Sequence, residues 1–101
     1  DESRPMPVIT GQDAEAASVK SIINEEQTMT VFKDTSKLAK IATQMVDAIL
    51  KDEKPEVNDT ETYDNNKKVI PTHLVDPVSV DVTNYQEILI DGGYLEESEV
   101  K

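Results

Sequence analysis

Two short polar turns hold the residues of this sequence best suited to chemistry. Thr10-Gly11-Gln12-Asp13 follows one apolar run, and Phe32-Lys33-Asp34-Thr35 follows another. Asp13 offers a carboxylate that can accept two hydrogen bonds, for instance from a pair of neighbouring hydroxyls. Gln12 stands beside it in the same turn. Lys33 is the matching residue of the second turn, with three donors and a charge that can pair a carboxylate or hold a hydroxyl. Each also has a plainer reading. Asp13 suits a helix N-cap or first turn, and Lys33 suits a solvated surface.

Other reactive types do not assemble. His73 is the single histidine; between Thr72 and Leu74 it reads as structural, and Asp76 and Asp81 stand at no metal-ligand spacing from it. Asp52-Glu53 and Glu96-Glu97 read as solvated charges. Gly92-Gly93 lacks a G-x-G-x-x-G context and reads as a helix stop. No G-x-S-x-G turn is present. A Cys-free chain has no thiol nucleophile, disulfide or Cys-based zinc site. No catalytic residue, metal or cofactor is expected, and an enzyme is the last of the readings.

The 101 residues carry 10 basic and 21 acidic side chains, a formal charge of −11 that argues against a nucleic-acid partner. A hydrophobic fraction of 37% is low for a self-sufficient globule and high for a disordered chain. No apolar run approaches the ~18 residues of a membrane span. The opening Asp1-Glu2-Ser3-Arg4-Pro5 lacks the basic start and apolar segment of a signal peptide. Since it does not begin with Met, the chain is expected to be processed or a piece of something longer.

The elements that must position the two turns can be read from periodicity. Met6 to Thr10 suits a short buried strand ended by Gly11. A helix is expected from Ala14 to about Asn24, with Ala16, Val19, Ile22 and Ile23 at helical spacing. Thr28 to Phe32 is the second strand. Leu38, Ile41, Ala42, Met45, Val46, Ile49 and Leu50 form one apolar stripe of a helix, capped by Thr35 or Ser36 and unable to pass Pro55. This strand–helix–strand–helix order predicts an α/β fold with parallel strands, both turns emerging at the carboxyl edge where such sheets bind ligands. Residues 51–68 read as a surface excursion with an exposed strand at Glu61-Thr62-Tyr63. Val69 to Val80 is extended, its two prolines suiting an edge or crossover. A short capped helix is expected over 83–90, and a charged, frayed tail from Glu96 to Lys101.

Four stretches then carry a resemblance: Pro7-Val8-Ile9-Thr10-Gly11-Gln12-Asp13-Ala14, Gln27-Thr28-Met29-Thr30-Val31-Phe32-Lys33, Val69-Ile70-Pro71-Thr72-His73-Leu74-Val75-Asp76-Pro77-Val78 and Ile90-Asp91-Gly92-Gly93-Tyr94. In this order they closely resemble the carboxyl-terminal part of bacterial periplasmic sugar-binding proteins of the type I fold, in the xylose- and multiple-sugar-binding branch. The resemblance implies a Rossmann-like parallel-sheet lobe fragment of a two-lobe receptor that feeds an ABC transporter. Residues 1–68 would be the last two βα units of the sugar-binding lobe with the surface excursion, 69–82 a hinge crossover, and 83–101 a terminal helix and tail packing on the missing N-terminal lobe. The family's acidic sugar-hydroxyl acceptor falls on Asp13 and its polar residue after the second strand on Lys33, with Gln12 beside the first. A monosaccharide (aldopentose or aldohexose) and a membrane permease are the implied partners. The implied location is the periplasm, or a lipid anchor outside the membrane of a Gram-positive cell. Glu25-Glu26 departs from the family, which often has Gly there. Because much of a receptor is missing, weak or absent sugar binding is expected of this chain alone. The alternative is the effector-binding region of a sugar-responsive transcription regulator, which shares the lobe architecture. Self-association through exposed sheet edges is a further expectation.

Overall fold

The computed structural model describes residues 3–101; Asp1 and Glu2, where the signal-peptide reading starts, lie outside the described residues. The chain divides into two compact units. One runs to Phe32 and resumes over Pro77–Lys101, and the other is Lys33–Asp76.

The first unit is built on β1 (Thr10–Gln12), α1 (Ala16–Ile23), β2 (Met29–Phe32) and β3 (Val78–Val80). β1 and β2 are parallel, with Thr10 opposite Met29 and Gln12 opposite Val31. β3 lies on the other side of β2 and is antiparallel, so the sheet is mixed rather than wholly parallel. The reason is topological. The chain leaves the unit after Phe32 and returns at Val78, opposite Phe32, so it must run back down β2. Pro77 stands just outside this edge strand, where its missing N–H costs no ladder bond.

The first strand falls later than the apolar run suggests. Its limits follow its partner: Thr28 N–H bonds Ile9 C=O at 2.8 Å and the paired residues begin at Thr10. Met6 and Val8, expected to be buried, are 63% and 77% exposed, because β1 is the sheet edge and nothing among the described residues covers them.

Ala14, Val19, Phe32, Val80, Leu89 and Val100 form one core cluster. β2 shows the half-buried alternation of a sheet facing that core, with Thr30 and Phe32 inward. Beyond β3, Asp81 accepts from the Thr83 N–H (2.8 Å) and hydroxyl (2.6 Å), while Asn84 Oδ1 accepts from the Asp81 N–H at 2.8 Å. This clip starts a π-helical segment, Gln86–Asp91, that buries Leu89. Gly92 ends it: a Cβ there would lie 2.4 Å from the Ile88 carbonyl oxygen, and Gly93 takes φ 82°. The tail is not frayed. Glu97–Val100 forms a short helix, α3, with a Glu96/Glu99 capping box, because Val100 is buried in the core and anchors it.

The second unit holds α2 (Thr35–Leu50). Asp34, rather than Thr35 or Ser36, is the N-cap: its carboxylate accepts from the N–H groups of Ser36 (3.0 Å) and Lys37 (3.2 Å). None of the helix's residues is buried. The loop that follows doubles back through two antiparallel bridges, Asp59 with Thr72 and Asp64 with Val69. Glu61-Thr62-Tyr63 is a turn and not a strand, since Asp59 Oδ1 accepts from the Glu61 and Thr62 N–H groups, each at 3.0 Å. His73 holds its own loop, its Nδ1 at 3.1 Å from the Glu56 carbonyl oxygen.

Candidate functional site

Parallel pairing of β1 and β2 sends both polar turns from the carboxyl ends of adjacent strands. Gln12 is the last residue of β1 and Asp13 follows it, both exposed in the first unit. Lys33, also exposed, follows β2 and is the first residue of the second unit. Its neighbour Asp34 is committed to the cap of α2.

The backbone of the first turn is unusual. Asp13 and Ala14 take φ values of 85° and 52°, two successive residues with side chains in the left-handed region. Such geometry is costly, on the order of 1–3 kcal/mol per residue, and survives only when surrounding contacts impose it. Three contacts do so here. The Asp13 N–H donates to the Val31 carbonyl at 2.8 Å, extending the β1–β2 ladder by one bond. The Ala14 N–H donates to the hydroxyl of buried Thr30 at 3.2 Å. The Tyr94 hydroxyl donates to the Asp13 carbonyl at 3.3 Å. Gly11 is needed just before, because a Cβ there would meet the Gln27 side-chain amide at 2.6 Å. That amide is itself fixed, by Ser18 at 2.8 Å and the Met29 carbonyl at 3.0 Å.

Asp13 is therefore not the N-cap of α1, which is Glu15 with no side-chain cap bond. The Asp13 carboxylate stands at a strained turn tied to β2 and to Tyr94. Sequence reasoning missed Thr30 and Tyr94. Thr30 left a faint signal, a hydroxyl at the inward phase of an otherwise apolar strand. Tyr94 left none, since its contact spans 81 residues. A groove of about 290 Å³ lined by Met6, Val8, Ile22, Thr28 and Val82 lies toward the amino ends of the same strands, away from this turn. Among the described residues, no group of three or more His, Asp and Glu could hold a metal ion, and no helix is long and apolar enough to cross a membrane.

The carboxyl ends of parallel strands, where this turn lies, are the edge at which open α/β sheets bind ligands. No protein-family model matches the chain. It is 52% identical over 96 residues to the multiple sugar-binding periplasmic receptor ChvE of Rhizobium radiobacter, covering 95% of this chain and 27% of that protein. It is 57% identical over 99 residues to the multiple sugar-binding periplasmic protein SbpA of Azospirillum brasilense, covering 98% of this chain and 28% of that protein. In structure it superposes, with a TM-score of 0.91 and 46% identity, on an ABC transporter solute-binding protein from Clostridium phytofermentans solved with β-D-glucose, covering 96% of this chain and 30% of that one. Over nearly its whole length the chain is similar to one segment of periplasmic sugar-binding proteins. It spans little more than a quarter of the length of the relatives it matches.

Proposed function

We propose that this chain is part of a periplasmic receptor that captures a monosaccharide and hands it to an ABC-type membrane permease. In that receptor it supplies a polar stretch of the sugar cleft. The reading is carried by the likeness, across 96% of the chain, to a solute-binding structure that holds β-D-glucose. Asp13 accepts from two neighbouring sugar hydroxyls, and Gln12 flanks it. Lys33, assigned from its place after β2, donates to a hydroxyl. The ligand class is an aldohexose or aldopentose, and the remaining length of the receptor supplies the apolar surfaces that a sugar ring needs. A binding protein gains from a rigid carboxylate, because no ordering cost falls on the site when the sugar arrives.

Calorimetric titration of the full-length polypeptide carrying this segment, with glucose, galactose, xylose and arabinose, tests the reading. Asp13→Asn should weaken the preferred sugar about ten- to a hundredfold, the range of a charge-assisted hydrogen bond. Lys33→Met should weaken it less. The 101-residue chain alone should show no tight binding. Affinity unchanged in Asp13→Asn for all four sugars would remove Asp13 from the site.

A further inference from the structure

The strained turn at Asp13 and Ala14 is held from two directions, and the two are not equivalent. From β2 come the contacts of Val31 and Thr30, both of which accept from backbone N–H groups of the turn. From the far end of the chain comes Tyr94, which alone among the three holds the Asp13 carbonyl. The Asp13 carbonyl and the Ala14 N–H belong to one planar peptide, so Tyr94 and Thr30 hold that plane from its two opposite edges.

Tyr94 is itself well placed for this. Its N–H donates to the Leu89 carbonyl at 3.0 Å, in the turn that Gly92 and Gly93 permit. Its ring rests 4.8 Å from the ring of Phe32, tilted at 48°, a favourable aromatic geometry. Phe32 is the last residue of β2 and part of the core. Tyr94 thus ties the core to the carbonyl behind the candidate ligand carboxylate.

We propose that Tyr94 is a positioning residue for Asp13: its hydroxyl locks the strained turn and so sets the aim of the carboxylate toward the sugar. The proposal rests on the reading that Asp13 binds sugar, and it adds the terminal segment to the machinery of that site. Tyr94→Phe keeps the ring and removes only the hydroxyl. In the full-length polypeptide, hydrogen exchange on peptides covering residues 10–19 should speed up in this variant, with peptides over β3 and the π-helical segment unchanged. Glucose affinity should fall about three- to tenfold, the worth of one neutral hydrogen bond. In an Asp13→Asn background the same substitution should cost no further affinity. Thr30→Val, which removes the second tether, should loosen the same peptides.

Unchanged exchange at 10–19 in Tyr94→Phe overturns the proposal. So does an equal loss of affinity with and without Asp13, since Tyr94 would then act on the sugar directly. Should Asp13→Asn leave affinity intact while Tyr94→Phe still loosens the turn, the latch stands and the sugar-site reading fails.

Discussion

α1 and α2 make a controlled comparison inside one chain. α1 has 8 residues and buries Val19 and Ile22. α2 has 16 residues and the more regular apolar stripe, yet buries none. Every buried residue among those described lies in the first unit, and none lies in 33–76. Amphipathic spacing says that a helix has a face to bury, not that a partner is at hand. The first unit therefore draws its stability from packing. The second draws on local devices, namely the Asp34 cap, the Asp59 turn and the paired bonds of the Asn58 amide with Leu74 at 2.7 and 2.9 Å.

The largest expected effect sharpens that difference. Leu89→Ala removes a fully buried side chain from the cluster and should cost about 2–5 kcal/mol. Leu50→Ala deletes the same atoms from a residue 80% exposed and should stay within about 0.5 kcal/mol. Chemical denaturation of the chain and both variants measures the two directly. A loss at Leu50 matching that at Leu89 would show that α2 is packed in solution and would dissolve the contrast.

The same comparison explains what could be read from sequence. α2 was legible almost to the residue, because a long periodic stripe ended by a cap signal is a local property. Only the capping residue moved, from Thr35 or Ser36 to Asp34, since the carboxylate one place earlier reaches the same N–H groups. β1 was misplaced, because Thr10-Gly11-Gln12 has poor strand propensity and becomes a strand only through its register with β2. The tail was misread for a similar reason: one Val among charges gives no pattern, yet Val100 finds a core built by distant residues. At the candidate site the chemistry of Asp13 was visible and its geometry was not. Nothing in the letters shows two successive left-handed residues, or a tyrosine reaching back across the chain to hold them.

A mid-sized effect tests whether the second unit rests on local devices. Asp34→Ala removes the carboxylate that accepts from Ser36 and Lys37 and should cost α2 about 1 kcal/mol. Faster hydrogen exchange confined to the first turns of α2 is the expected result. Loss of protection in the first unit as well would mean that the cap supports more than its own helix.

The smallest effect compares two carboxylates, one in each unit, that do the same job by different means. Asp81 is held below the ordinary carboxylate range first by the Thr83 hydroxyl and then by the Thr83 N–H. Asp59 is lowered first by the backbone N–H groups of Glu61 and Thr62, with the Thr62 hydroxyl behind them. In both, the folded state binds the proton more weakly than the unfolded state. Their stabilisation is therefore complete above the unfolded value and disappears as the pH falls through the folded one. Thr83→Val should move the Asp81 midpoint back toward the ordinary range, by removing its largest cause. Thr62→Val should barely move Asp59, because backbone donors remain. Side-chain carboxyl shifts followed by NMR through acid titration read both midpoints. Equal displacement in the two variants would contradict this account, since it requires the hydroxyl to lead at Asp81 and the main chain to lead at Asp59.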